Sequence, residues 1–137
     1  RRIWAEELAE FAGDFVNFGP MASWPKPVQP GGPPVWIGSN SKSVPGRVAD
    51  YADGWIVYRG IYKGDAPTDL RAACVNAGRN FDELTLTLMD APREEAEARE
   101  WIARGFRKLI YLLPQAGEGV LARLDEIAAL AARLRTA

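Results

Sequence analysis

Four times in succession, a short apolar segment of this chain is followed by a segment with helical character. The predicted strands are 35–38, 54–58, 84–89 and 108–113, and the predicted helices are 41–51, 68–77, 93–103 and 118–134. Two parallel strands of one sheet need a crossover connection, and a helix is the usual one. The alternation therefore predicts an α/β fold with a parallel sheet, whose strands all end at one edge.

The last of these segments has the clearest helical periodicity. Its apolar residues recur every three or four positions, as in a helix that packs on a core. The resulting stripe consists of Val120, Leu121, Leu124, Ile127, Ala128, Ala131 and Leu134.

The first 33 residues do not share this alternation. Residues 1–11 are predicted to be helical, and the aromatic run 13–18 between turn residues predicts a small strand or hairpin arm. Residues 20–34 are rich in Pro and Gly and predict an ordered connector without regular structure, because Pro cannot donate to a strand ladder. We interpret 1–137 as a single domain, with 1–33 as helix, arm and connector and 34–137 as four βα units.

Two of the helices have local start signals. Ser41 is the predicted cap of the helix over 41–51, and Pro45 falls in its first turns, where a missing N–H costs little. Thr68 is the predicted cap of the helix over 68–77, and Gly78 is the predicted end of that helix.

Composition excludes several kinds of chemistry. The chain has no histidine, which removes Ser-His-Asp and Cys-His catalysis and the usual metal ligands, so no metal site is expected. Its single cysteine, Cys74, lies on an apolar helical face, and we interpret it as a core residue rather than a nucleophile. One cysteine cannot form an internal disulfide, and this fits a reducing cytoplasmic setting.

The charge and the hydropathy of the chain limit the classes of partner that we expect. The formal net charge is −1 and the basic residues are scattered, so we expect no nucleic-acid partner. No apolar run approaches the ~20 residues that span a bilayer, and no signal peptide is visible, so we expect no membrane association and a cytoplasmic location. Because the chain begins with Arg1 and not with Met, we expect a fragment or a processed piece.

The candidate site consists of polar residues at the predicted strand ends. Gly38, Ser39, Asn40 and Ser41 follow the first strand and precede a helix, so their N–H groups and hydroxyls could receive a phosphate. Arg59 follows the second strand and could contact a phosphate or a carboxylate. The alternatives are an ordinary helix-capping turn at 38–41 and a solvated loop charge at Arg59.

Two aspartates lie near the same strands. Asp53 opens the second strand, where Asp is disfavoured, and we interpret its carboxylate as a structural group that caps or pairs nearby. Asp90 follows the third strand, but a lone Asp without a visible partner is weak support for acid–base chemistry. The residues interpreted as packing groups rather than as a stacking platform are Trp24, Trp36, Trp55 and Trp101.

Four segments, read in order, resemble the carboxyl-terminal part of luciferase-like monooxygenases, and more narrowly their coenzyme F420-dependent class. They are Gly-Asp-Phe-Val-Asn-Phe at 13–18, Pro-Lys-Pro-Val-Gln-Pro at 25–30, Pro-Val-Trp-Ile-Gly-Ser-Asn-Ser at 34–41 and Arg-Val-Ala-Asp-Tyr-Ala-Asp-Gly-Trp at 47–55. The resemblance implies a TIM barrel, of which the four βα units are the closing half. It also implies F420 or FMN as cofactor, and hydride transfer or monooxygenation of a small organic substrate.

Within this resemblance, the turn 38–41 matches a Gly-Gly-Asn-Ser-like family turn that helps to hold the phosphate end of the cofactor, with Ser39 in place of the second Gly. The catalytic residues stay unknown, because the resemblance places them in an amino-terminal half that this chain lacks. Four βα units also leave two open sheet edges. We therefore expect a homo-oligomer or pairing with a complementary half-barrel, and an inactive isolated chain.

Two other interpretations stay open at this point. The chain could be a truncated, non-catalytic relative that acts as a structural or partner subunit. It could also be an independent open α/β domain with a flavodoxin-like sheet, which would keep the anion site but not the barrel.

Overall fold

A computed structural model of the chain describes residues 1–115, 117 and 119–135. The chain divides into two compact units, Arg1–Pro34 and Val35–Ala137. The boundary lies next to Pro34, close to the predicted junction between the connector and the four βα units.

The first unit contains a short helix and a hairpin. Helix α1 (Arg2–Ala5) is followed by strand β1 (Ala9–Ala12), which pairs antiparallel with strand β2 (Asn17–Met21). The predicted hairpin arm is present, with its turn closed by a 3.0 Å bond from the Gly13 N–H to the Val16 carbonyl. Residues 22–34 contain no helix or strand, as predicted for the connector. The first two residues of the predicted connector, Pro20 and Met21, instead belong to β2.

The prediction of a helix over 1–11 is wrong beyond Ala5. The Lys26 ammonium donates a 2.9 Å hydrogen bond to the Ile3 carbonyl and a second bond to the Glu6 carbonyl. These carbonyls therefore have partners without a further helical turn. The backbone of the residues that follow is used instead in the ladder between β1 and β2.

The second unit contains four strand–helix pairs in the predicted order. They are β3 (Trp36–Gly38), α2 (Val44–Tyr51), β4 (Gly54–Tyr58), α3 (Ala66–Ala77), β5 (Thr85–Met89), α4 (Glu95–Ala103), β6 (Lys108–Ile110) and α5 (Val120–Arg135), with a 3₁₀ turn at Phe81–Glu83. The strands form one sheet in the order β3-β4-β5-β6, and all three pairings are parallel. The predicted α/β class and the parallel sheet are confirmed.

Both predicted helix caps are wrong, although the helices are present. Helix α2 starts at Val44 rather than 41, because Ser41–Ser43 form a turn in which the Ser41 carbonyl accepts a 3.1 Å bond from the Val44 N–H. The cap of α3 is Asp65, whose carboxylate accepts a 3.2 Å bond from the Thr68 N–H, so Thr68 lies inside the helix.

The other predicted boundaries agree with the structure to different degrees. Gly78 ends α3 in the left-handed conformation, with φ 65°, and Pro45 lies in the first turn of α2. Strand β6 ends at Ile110 rather than 113. The predicted first residue of the last helix, Glu118, lies outside the described residues.

The helices cover one face of the sheet. Residues opposite one another in parallel strands point to the same face, and Ile37, Trp55 and Leu86 are such a set. All three are buried in one core cluster with residues from α2 and α3 such as Val48 and Leu70. Cys74 also belongs to this cluster, which confirms its interpretation as a core residue.

The opposite face of the sheet carries a second apolar surface. Its half-buried residues are Trp36, Ile56, Tyr58, Met89 and Ile110. None of them belongs to the core cluster among the described residues. Because β3 and β6 each pair with one strand only in the described ranges, this sheet has two open edges. On this second face the Lys108 ammonium lies 4.3 Å from the centre of the Trp36 ring, and Thr87 is buried.

Helix α5 is attached mainly through charged groups. The Glu95 carboxylate on α4 accepts hydrogen bonds of 2.7 Å from Arg99 on its own helix and from Arg133 on α5. Among the described residues of α5 only Leu130 is buried, and the predicted apolar stripe did not include it. Leu121 and Leu124 of that stripe are exposed, and its best-covered members, such as Ile127, are half-buried. The stripe is therefore only partly covered by the described part of the chain.

Candidate functional site at the carboxyl ends of the strands

The predicted turn 38–41 lies at the tip of the neighbouring strand. Gly38 of β3 pairs with Ile56 of β4, so Asn40 comes level with Tyr58. The Asn40 Oδ1 accepts a 3.1 Å hydrogen bond from the Tyr58 N–H. The structure therefore brings Gly38, Ser39, Asn40 and Ser41 together with the end of β4, at the edge where parallel α/β sheets bind ligands.

Trp55 supports this turn from the core side. Its side chain is fully buried, its Nε1 donates a 2.8 Å hydrogen bond to the Ser39 carbonyl, and its ring meets Tyr62 edge to face at 4.9 Å. The interpretation of Trp55 as a packing residue was incomplete, because it also positions the turn. The parallel register places Trp55 beside Ile37, just before the turn, but no sequence signal shows where an indole N–H will point.

The polar groups of the turn are arranged in a chain. The Ser39 hydroxyl oxygen accepts from the Ser41 N–H at 3.3 Å, and the Ser41 hydroxyl oxygen accepts from the Ser43 N–H at 3.4 Å. The N–H groups of Asn40 and Lys42 make no hydrogen bond within the described part of the chain. Free N–H groups at a helix start are the donors that an anion needs.

Gly38 leaves open space beside the turn. A Cβ placed on Gly38 would meet no atom within 4 Å. The glycine is therefore not required by packing inside the described chain, and it leaves a gap on the sheet face that the helices do not cover.

Arg59 is held on the other side of β4, away from direct contact with the turn. Its Nε donates a 2.7 Å bond to the Asp90 carbonyl, and its other guanidinium nitrogens lie 3.2 Å from the Glu97 carboxylate and 3.7 Å from that of Asp90. The sequence predicted that Arg59 could contact a phosphate or a carboxylate, and within the chain it contacts carboxylates. A role toward a cofactor stays a prediction.

Asp90 has a partner and an unusual backbone. Its φ is 59°, which makes it the one non-glycine residue with positive φ in the described ranges. Together with Arg59, Glu97 and Arg93 it lines a polar cleft of about 320 Å³ at the ends of β4 and β5. Sequence reasoning missed this cleft because Glu97 is 38 positions from Arg59, and no local pattern joins the two.

Asp53 is a structural group, as interpreted from the sequence. Its carboxylate accepts a 2.7 Å bond from the Val35 N–H, and its own N–H donates a 2.7 Å bond to the Val35 carbonyl. Arg79 lies 3.9 Å from the same carboxylate and donates to carbonyls at the end of α2, including that of Val48 at 3.0 Å. These contacts join β3, β4 and α2 at the edge opposite the candidate site.

Residues 1–115, 117 and 119–135 contain neither a cluster of metal-ligating side chains nor a helix that could span a membrane. No group of acidic, cysteine or histidine side chains there is arranged to bind a metal ion. None of the helices there has the length and apolar character that crossing a bilayer requires.

The geometry defines a class of protein, namely a βα-repeat fold with its polar turns at the carboxyl ends of parallel strands. The family model for luciferase-like monooxygenases matches residues 1–136. The chain belongs to the luciferase-like monooxygenase family. Four consecutive βα units in one parallel sheet fit part of the TIM-barrel-like fold that the resemblance implies.

Similar proteins occur in mycobacteria. Uncharacterized proteins of Mycobacterium tuberculosis and Mycobacterium bovis are each 31% identical to this chain over 131 residues. The match covers 94% of the chain but 46% of each relative. The chain thus spans about half the length of these relatives.

Proposed function

We propose that this chain is the carboxyl-terminal part of a flavin- or F420-dependent oxidoreductase, and that its turn 38–41 holds the phosphate end of the cofactor. The observation that supports this most strongly is the 3.1 Å bond from the Tyr58 N–H to Asn40, which positions the turn at the strand ends. Membership of the luciferase-like family supports the class of reaction.

The residues present fit the phosphate end of such a group. The N–H groups of Asn40 and Lys42 are available as donors, and the hydroxyls of Ser39 and Ser41 can rotate toward an anion while they accept from the backbone. The missing side chain at Gly38 leaves room for close approach. The helix dipole of α2 adds about 0.3–1 kcal/mol for each negative charge placed there.

The cofactor, when bound, would supply hydride transfer or oxygen activation toward a small organic substrate. The residues of this chain would bind and orient it. The turn would fix one end, and the half-buried side chains of Ile56 and Met89 would form an apolar wall beside it on the helix-free face. Arg59 would contribute a positive charge at the rim, in competition with Asp90 and Glu97.

A second half would complete the site. The sheet has two open edges and an apolar face without helices, and the mycobacterial relatives are about twice as long as the matched region. We propose that a complementary half-barrel, in the same polypeptide or in a partner subunit, pairs with β3 and β6. That half would supply the catalytic side chains. We place the reaction in the cytoplasm, where Cys74 would stay a thiol.

The test uses the longest open reading frame that contains this chain. Its product is titrated with F420 and with FMN, and binding is followed by cofactor fluorescence. We expect one of the two to bind, and we expect weaker binding in the Asn40→Ala variant than in Asn76→Ala, which changes an exposed amide on α3. Binding of neither cofactor would contradict the proposal and would favour a non-catalytic partner subunit.

A further inference from the structure

One cleft of the second unit lies on the helix-bearing side of the sheet. It has a volume of about 580 Å³ and lies between the 3₁₀ turn Phe81–Glu83, α4, β6 and α5. Its walls are mainly apolar and include Phe106, Leu109 and Leu134. Clefts of this size and character are typical of small-molecule sites.

One polar group in the wall of this cleft lacks a partner. The Tyr111 hydroxyl is buried and makes no hydrogen bond within the described residues. Burial raises the pKa of Tyr111, so the hydroxyl keeps its proton at neutral pH and can donate as well as accept. A buried hydroxyl without a partner costs free energy, so Tyr111 marks a strained point in the packing beside this cleft.

The charges around the cleft favour an anion. Arg71, Arg107 and Arg135 line it, whereas Asp82 is the one carboxylate among the described lining residues. Asp82 is paired with Arg107 at 3.4 Å. The Arg71 guanidinium lies 3.8 Å from the centre of the Phe81 ring. Arg71 therefore forms part of the cleft wall and also places a positive charge there. The lining therefore carries two more positive than negative charges.

We propose that this cleft binds an organic carboxylate with an aromatic or branched apolar body. The body would pack against Phe106 and Leu109, and the carboxylate would lie among the arginines, which are suited to bidentate recognition. This cleft shares only Tyr111 with the polar cleft at the rim, among the described lining residues, and none with turn 38–41. The site is therefore separate from the cofactor turn, and the proposal goes beyond the proposed function.

Three probes with the same naphthalene body and different charges test whether the cleft prefers a carboxylate. The chain is titrated by calorimetry with 2-naphthoate, with the neutral 2-naphthamide and with the cationic 2-naphthylmethylammonium. We expect the carboxylate to bind at least about tenfold more tightly than the amide, and the cation to bind most weakly. Equal binding of all three, or no binding of the carboxylate at millimolar concentration, would overturn the proposal.

Variants test the location. Ala131→Trp should fill the cleft and abolish carboxylate binding. Arg107→Gln should weaken the binding of 2-naphthoate by about fivefold and leave the binding of 2-naphthamide unchanged. Arg123→Gln, on the exposed part of α5 outside this cleft, is the control and should bind like the parent chain. If the Ala131→Trp variant does not fold, the Arg107→Gln variant alone shows whether the carboxylate binds in this cleft. Carboxylate affinity that is unchanged in Arg107→Gln would place the binding elsewhere and refute the site.

Discussion

The Asn40 side chain accepts a hydrogen bond of 3.1 Å from the Tyr58 N–H and so joins the turn after β3 to the end of β4. The two residues are 18 positions apart, and the parallel register makes them neighbours. Together with the 2.8 Å bond from Trp55 to the Ser39 carbonyl, this contact fixes the turn from two directions. Phosphate donors are useful only when they are held in place before the ligand arrives.

Removing this contact should destabilise the chain. Asn40→Ala leaves the Tyr58 N–H without its partner, and we expect a loss of about 1 kcal/mol in the free energy of unfolding, measured by urea titration. Asn76→Ala, an exposed amide on α3, should be neutral or slightly stabilising, since Ala is the better helix former. Equal effects of the two substitutions would mean that the Asn40 bond does not hold the turn.

Gly54 should not tolerate a side chain. A Cβ on Gly54 would lie 2.8 Å from the Thr85 carbonyl oxygen and 3.1 Å from the Trp36 ring. Because the backbone of the adjacent strand cannot move aside, we expect Gly54→Ala to cost about 1–3 kcal/mol in thermal or urea unfolding.

A second glycine provides the matched control for this substitution. A Cβ on Gly46 in α2 would meet no atom within 4 Å apart from the adjoining backbone of its own helix. Gly46→Ala should therefore stabilise the chain by about 0.5–1 kcal/mol through helix propensity. Similar effects at Gly46 and Gly54 would contradict the close packing of Trp36 over the sheet.

The cap of α3 should make stability depend on pH. Hydrogen bonds from Thr68 and from Arg104 hold the pKa of Asp65 below its usual value. The folded chain thus favours the ionised carboxylate, and this stabilisation is present above the unfolded pKa and lost as the pH falls through the folded one.

Two substitutions at Asp65 measure this effect. Asp65→Ala should cost about 1 kcal/mol at pH 7, and the gap should close in acid as the parent carboxylate protonates. Asp65→Asn keeps a good cap and should cost less. The pair with Arg104 adds little, because both side chains are nearly half exposed. A gap that stays constant from pH 7 to acid would contradict the ionised cap.

Asp90 should carry backbone strain. Its φ of 59° is disfavoured for a residue with a Cβ. Asp90→Gly and Asp90→Ala both remove the carboxylate near Arg59, so the difference between them reports the backbone alone. We expect the Gly variant to be more stable than the Ala variant by about 1 kcal/mol in chemical unfolding. An Ala variant of equal stability would show that this conformation is not strained.

The fold was predictable where local patterns dominate. Alternating segments predicted the four βα units and the parallel sheet, and Gly78 predicted the end of α3. The helix starts were less predictable, because two residues of types that favour caps lie near each start. These are Ser41 and Ser43 at α2, and Asp65 and Thr68 at α3. Residues 1–11 have helical composition, yet Lys26 and the partner strand β2 compete successfully for their backbone groups.

The site was predictable as a position but not as a set of contacts. The parallel register alone places the turn 38–41 at the strand ends. The ion pair between Arg59 and Glu97 joins residues that are 38 positions apart, and no local pattern indicates it. The indole bond of Trp55 to the Ser39 carbonyl is equally invisible in the sequence, because a buried Trp is ordinarily a packing residue. The ligand roles of Gly38, Ser39, Asn40, Ser41 and Arg59 stay predictions.

The most direct test of the central claim compares FMN with riboflavin, which has the same ring system but no phosphate. Backbone amide signals of the chain are recorded by ¹⁵N NMR during each titration. F420 is titrated in the same way, because we expect one of the two phosphate-bearing cofactors to bind. We predict that this cofactor shifts the amides of Ser39, Asn40 and Lys42 and that riboflavin leaves them unchanged. Identical responses to that cofactor and to riboflavin, or cofactor shifts confined to other parts of the chain, would contradict a phosphate-binding turn at the carboxyl ends of the strands.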